Sequence, residues 1–138
     1  PQRSRDHTEV MPGGFGGRIS VDGLTIAIDG RPELAGQSVR IPGDISSAAF
    51  FLAAAAMIPG SDLVVRDVGC NPTRDGVLEV LQRMGASIEL TDRRFEAGEP
   101  VADIHVTGGA LRGVDVGAEL VARTIDEYPI LAVAAAVA

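Results

Sequence analysis

The chain has 138 residues, enough for about one compact domain, and 46% hydrophobic content is ample for a core. Only 4% of residues are aromatic and Trp is absent, so that core must be aliphatic and alanine-rich. The net charge of −7, with no basic stripe alternating with aromatics, argues against nucleic acid as a partner; the alanine-rich runs, broken by Pro and acidic residues, are too short to span a membrane.

In chain order, Ser4 to Met11 reads as a short helix capped by Ser4 and ended or distorted by Pro12-Gly13-Gly14. Arg18 to Val21 and Leu24 to Ile28, joined by Asp22-Gly23, predict a hairpin. A loop over Arg31 to Gly36 follows, then a short extended run, Val39 to Ile41, ended by Pro42-Gly43. Asp44, Ser46 and Ser47 offer side-chain oxygens to the free amides that open a helix. Ala48 to Met57 is apolar on every side, which predicts a helix buried all round, and Pro59-Gly60 stops it.

Asp62 to Val68 predicts a strand with a buried centre. Asn71-Pro72-Thr73 opens a second helix, with Pro72 suited to its first turn. There Val77, Val80, Leu81 and Met84 recur at helical spacing, while Arg74, Glu79, Gln82 and Arg83 point elsewhere. Ser87 to Leu90 and Asp103 to Val106 read as strands joined by a charged loop, Thr91 to Ala102. Val114 to Val116 suggests a short strand, and Glu119 to Tyr128 leads into a last apolar helix.

An internal repeat runs through these elements. Ser4-Arg5-Asp6 matches Thr73-Arg74-Asp75, and at the same offset Phe15-Gly16-Gly17-Arg18-Ile19 matches Met84-Gly85-Ala86-Ser87-Ile88. Phe51-Leu-Ala-Ala-Ala-Ala56 matches Ile130-Leu-Ala-Val-Ala-Ala135 after an insertion in the loops between. The repeated unit is strand, apolar helix, strand, amphipathic helix and two strands. The chain then holds the end of one unit, all of a second and the start of a third. The opening Pro1 and the apolar close at Ala138 lead us to expect a piece of a longer protein. The lone Cys70 excludes an internal disulfide and fits a reducing, cytoplasmic location; no signal-peptide pattern is present.

Ser4-Arg-Asp-His-Thr-Glu9, Gly43-Asp-Ile-Ser-Ser-Ala-Ala48, Asn71-Pro-Thr-Arg74, Met84-Gly85-Ala86 and Ile125-Asp-Glu-Tyr-Pro-Ile-Leu131 stand in an order that resembles the 5-enolpyruvylshikimate-3-phosphate synthase family, closest to its glyphosate-tolerant bacterial branch. The resemblance covers essentially the whole chain but only about the middle third of a family enzyme. It implies an α/β fold of the inside-out barrel type, built from repeated βαβαββ units in two domains. Residues 1–42 would close one domain. Residues 43–138 would open the other, with one full unit and the first helix of the next. The implied reaction joins phosphoenolpyruvate to the 5-hydroxyl of shikimate 3-phosphate and releases phosphate, by addition and elimination through a tetrahedral intermediate. The implied partners are those two small molecules and the remaining segments of the parent enzyme, with no metal or organic cofactor. Two features depart from the pattern. Pro12-Gly13-Gly14 replaces helix-compatible residues. The family's lysine- and arginine-bearing motifs for phosphoenolpyruvate and phosphate, and its Ser-Ala-Gln or Ser-Ser-Gln segment, are absent and would lie before Pro1 and after Ala138; all 12 basic residues here are Arg.

Asp126 follows Thr124-Ile125 at the start of the last helix. By itself it reads as a first-turn carboxylate favoured by the helix dipole. The resemblance gives it another role, hydrogen-bonding shikimate 3-phosphate and accepting its 5-hydroxyl proton, and it leaves Glu127 structural. Arg5 at a helix start opposes the dipole unless an anion sits nearby, although Arg74 occupies the repeat-equivalent place without an assigned substrate. The resemblance makes Ser4 and Arg5 contacts to the substrate phosphoryl group. Ser46 and Ser47 read as helix caps. Gly13 to Gly17 neither follows a strand nor opens a helix, so it is not a phosphate-cradling loop. His7, His105 and Cys70 lack metal-ligand spacing. A sister transferase acting on UDP-N-acetylglucosamine shares the fold, but Arg5-Asp-His-Thr-Glu9 and Asp126-Glu-Tyr-Pro129 argue against it. A catalytically silent folding or interaction module is the reading from another class.

Overall fold

In the computed structural model, which describes residues 3–138, the first helix (α1, His7–Gly14) begins later than the sequence suggests. Asp6, not Ser4, takes the N-cap position, and its carbonyl accepts from the amides of Glu9 and Val10 at 3.0 Å. Pro12 lies inside the helix, and the amides of Phe15 and Gly16 then donate three residues back, to Pro12 and Gly13, closing it. The hairpin forms from β1 (Ile19–Asp22) and β2 (Thr25–Ile28). Its last pair is Asp22 with Thr25, so the two-residue loop is Gly23-Leu24, one position beyond the Asp-Gly pair. Gly23 at φ +58° as the first loop residue is what a type II′ turn requires.

The extended run over residues 39–41 forms no ladder. The leading strand of the repeat shrinks to one parallel bridge, Gly43 with Val68, because Pro42 has no N–H to donate. Asp44 alone caps α2 (Ile45–Met57), its Oδ2 accepting from both the amide and the hydroxyl of Ser47 at 2.8 Å. Ser46 and Ser47 are therefore not caps; their hydroxyls bond to carboxylates instead. The helix is not buried all round. Its Ala49, Leu52, Ala53 and Ala56 face is sealed, but Phe50 and Phe51 are 56% and 66% exposed. The packed face meets β3 (Asp62–Gly69), β5 (Glu99–Thr107) and α5 (Tyr128–Ala136), and residues 3–138 offer nothing to cover the other.

The main sheet runs β3–β5–β4, all antiparallel, with β4 spanning Ser87–Glu96. The burial of β3 alternates and is complete only at Val68, near its end rather than its centre. The charged loop expected over residues 91–102 does not form: most of them belong to β4 and β5, which turn at Ala97-Gly98. Both turn residues have positive φ, +48° and +87°, the type I′ signature. The run looked like a loop because β4 is an edge strand, where charge is common. A bulge between Thr91 and Arg94 also breaks its alternation. A matching bulge interrupts β3, and Arg94 joins the left-handed residues of the two, Asp67 and Asp92.

Before α3 (Gly76–Arg83), Asn71 Oδ1 accepts from the amide and hydroxyl of Thr73, so the helix proper starts three residues later than expected. Val77, Val80, Leu81 and Met84 are all buried. No strand forms over residues 114–116. A 3₁₀ turn (Ala118–Leu120), the single-turn α4 (Val121–Thr124) and a second 3₁₀ turn (Ile125–Glu127) lead into α5. The order is helix and two strands, then bridge, helix, strand, helix and two strands, then a helix. This is the repeat expected of an α/β chain. Leu52, Leu81, Ile104 and Leu120 fill the core between helices and sheet.

Candidate active site

The turn Ile125–Glu127 splits two neighbouring carboxylates. Glu127 is 2% exposed and accepts a hydrogen bond from the Ser46 hydroxyl at the start of α2. Asp126 is the open one of the two, with its side chain 42% exposed. Thr124 anchors the approach to the turn, its buried hydroxyl donating to the Leu120 carbonyl at 2.8 Å.

Two guanidinium groups converge on Asp126. Arg5 Nη2 forms an ion pair with Oδ2, although the residues are 121 positions apart. Arg74 Nη2 lies 3.4 Å from the same oxygen, donates to Ser46 Oγ at 2.7 Å, and is 3.7 Å from Asp44 Oδ1. Burial pulls the Asp44 carboxyl up, but hydrogen bonds from Ser47 and Ser46 and the Arg74 charge outweigh it and hold it below its usual value. The anion that Arg5 needed is thus present, although α1 starts two residues beyond it.

A second polar knot fixes the segment carrying Arg5. The buried Asn71 donates to Asp6 Oδ1 at 2.8 Å and to Glu99 Oε2 at 2.9 Å. Glu99 Oε1 also meets His7 Nδ1 at 2.7 Å. Beside this knot opens a cleft of about 230 Å³, mostly apolar, whose polar lining includes His7, Asp44, Asn71, Arg74 and Glu99; Arg5 and Asp126 do not line it.

Of the residues singled out in the sequence, the structure brings Arg5 and Asp126 together. Ser4 lines a small cleft beside the hairpin together with Arg5, Glu9 and Leu24, and among the described residues no hydrogen bond joins it to Asp126. Sequence reasoning set Arg74 aside and took Ser46 for a cap. The repeat pairing Arg5 with Arg74 was the signal that could have linked both to one carboxylate. Among the described residues no cluster of His, Cys, Asp and Glu could hold a metal. Burial pushes the Cys70 thiol up to about 11, which leaves it protonated and unreactive at neutral pH. What the arrangement provides is an exposed carboxylate, steadied by cations, that can accept a proton beside a place for an anion.

The family model described as EPSP synthase (3-phosphoshikimate 1-carboxyvinyltransferase) matches residues 1–138. A relative from Geobacter sulfurreducens named 3-phosphoshikimate 1-carboxyvinyltransferase is 51% identical over 138 residues, covering all of this chain and 32% of its own length. One of the same name from Thermosynechococcus vestitus is 54% identical over 140 residues, again 32% of its length. The solved EPSP synthase from Acinetobacter baumannii superposes with a TM-score of 0.92 at 43% identity, over 97% of this chain and 31% of that one. The chain spans about a third of the length of the curated relatives it matches.

Proposed function

The chain belongs to the EPSP synthase family, and we propose that it supplies the acceptor side of an enzyme transferring the enolpyruvyl group of phosphoenolpyruvate to the 5-hydroxyl of shikimate 3-phosphate, with release of phosphate. Asp126 accepts the hydroxyl proton as the oxygen bonds to C2 of phosphoenolpyruvate and C3 takes up a proton. Loss of a C3 proton and of phosphate then restores the double bond. Arg5 receives the phosphoryl group of the acceptor, helped by Ser4. Residues 1–42 close one domain and 43–138 open the next, so Arg5 and Asp126 face each other from the two sides. The observation that carries this reading is the meeting of Arg5 and Asp126 from distant parts of the chain. A carboxylate serving α5 alone would have no need of a partner so far away.

Physically, Arg5 is free to exchange partners. It is about half exposed, so a doubly charged phosphoryl group can take its fork from the single charge of Asp126. The released carboxylate then lies open to a hydroxyl proton. The test is Asp126→Asn in a full-length EPSP synthase carrying this segment. Positioned acid–base groups contribute about 10²–10⁴ in rate, so kcat should fall by that order while the protein stays folded. Glu127→Gln, the buried neighbour, should keep more of kcat and lose stability instead. Near wild-type kcat with a lowered Tm in Asp126→Asn would make the carboxylate structural. Titration with shikimate 3-phosphate and with a UDP-sugar acceptor separates this reading from the sister transferase.

A further inference from the structure

We infer that Arg74 is a positioning residue for Asp126, holding its carboxylate through the same guanidinium group that grips the start of α2. The inference rests on the catalytic reading of Asp126 given above. The two arginines at Asp126 are unlike. The Arg5 side chain is 48% exposed, whereas that of Arg74 is only 16% exposed. Arg5 can leave for an incoming phosphoryl group. Arg74 is held: its Nη2 donates to Ser46 Oγ at 2.7 Å, and Ser46 in turn donates its one proton to Glu127. Glu127 is the residue next to Asp126 in the same turn.

The result is a closed loop of contacts. Arg74 touches Asp126 directly and reaches its neighbour through the Ser46 hydroxyl, so both ends of the carboxylate pair refer to one guanidinium. When Arg5 turns to the acceptor, Arg74 remains as the cation that keeps Asp126 aimed at the hydroxyl. Asp44, 3.7 Å away, balances the charge of Arg74 and ties it to the α2 cap. All three contacts come from one nitrogen, Nη2, so a lysine ammonium that reached the same place could supply the charge and part of the hydrogen bonding.

The test uses a full-length EPSP synthase carrying this segment, with kcat, KM for shikimate 3-phosphate and Tm measured for Arg74→Gln, Arg74→Lys, Asp126→Asn and the double variant Arg74→Gln/Asp126→Asn. A misplaced reacting group costs on the order of 100-fold, so Arg74→Gln should lower kcat by roughly 10- to 100-fold with KM much less changed. Arg74→Lys should recover part of the loss. The double variant should be no slower than Asp126→Asn, because Arg74 acts only through that carboxylate. Losses that multiply in the double variant, or wild-type kcat in folded Arg74→Gln, would overturn the inference. If Arg74→Gln does not fold, Arg74→Met, which keeps the length of the stem and removes the charge, decides: full kcat in the folded methionine variant overturns it equally. The two readings fail separately. An Asp126→Asn variant with undiminished kcat removes the catalytic reading; a slow Asp126→Asn beside a fast Arg74→Gln removes only the positioning role.

Discussion

At the scale of single residues, Asn71 ties three segments together from a buried position. It is 4% exposed and satisfies four hydrogen bonds, two as donor to Asp6 and Glu99 and two as acceptor from Thr73. Asn71→Ala removes all four bonds, at a cost of about 1–3 kcal/mol, and should lower the urea midpoint accordingly. It also frees the segment bearing Arg5, so in a full-length enzyme KM for shikimate 3-phosphate should rise as well. A lower midpoint with unchanged KM would show that the knot holds the fold but not Arg5. Half of this residue was legible in the sequence. Its turn with Thr73 is local, and Asn-Pro-Thr announces it. The bridge to Asp6 and Glu99 was not, because those partners lie 65 and 28 positions away and nothing in spacing points to them.

At the scale of elements, the α3–α4 junction is held by charge. Arg123 Nη1 donates to Glu79 at 2.8 Å and Nη2 to Asp75 at 2.5 Å, while its Nε is buried without a partner among the described residues. The hydrogen bond from Arg123 is the chief cause that holds the Glu79 carboxyl below its ordinary value of 4.5, despite some desolvation, with Arg83 adding to it. A carboxyl depressed on folding stabilises the native state above its unfolded pKa, and that stability is lost as pH falls through the lower folded value. Tm should therefore hold near neutral pH and decline below about 4.5, with Asp44 at the α2 cap adding to the fall below about 3.8. Glu79→Gln should flatten the upper part of that decline; an unchanged Tm–pH curve would show that the pair is solvated and idle. The Val77, Val80, Leu81 and Met84 face of α3 was readable because helical spacing is a local rule. The extent of β4 was not, since a charged edge strand with a bulge follows neither the alternation nor the polarity that marks a strand.

At the scale of the molecule, the repeat was legible because each unit reuses the same local pattern, and the fold follows it down to the lone bridge at Gly43. The error about α2 belongs to this scale. A helix apolar on every side asks for cover on every side, and here Phe50, Phe51 and Ile58 have none within residues 3–138. The same incompleteness governs activity. Both proposed substrates are anionic, the chain carries −7, and all 12 of its cations are arginines. Arg74 is committed to Ser46 and Asp126, and Arg123, at the α3–α4 junction, to Asp75 and Glu79. Arg5 is the exposed cation at the carboxylate, enough for one phosphoryl group but not for the charge that develops on a second substrate. Stabilising that charge needs several donors preorganised around it, each worth about 10²–10³ in rate. The purified 138-residue chain should therefore release no phosphate from phosphoenolpyruvate above the buffer rate when shikimate 3-phosphate is added, even where a full-length enzyme containing it turns over. Phosphate release by the 138 residues alone, lost on Asp126→Asn, would mean that the groups described here suffice, and that the other two thirds of the relatives' length serve something other than the chemistry.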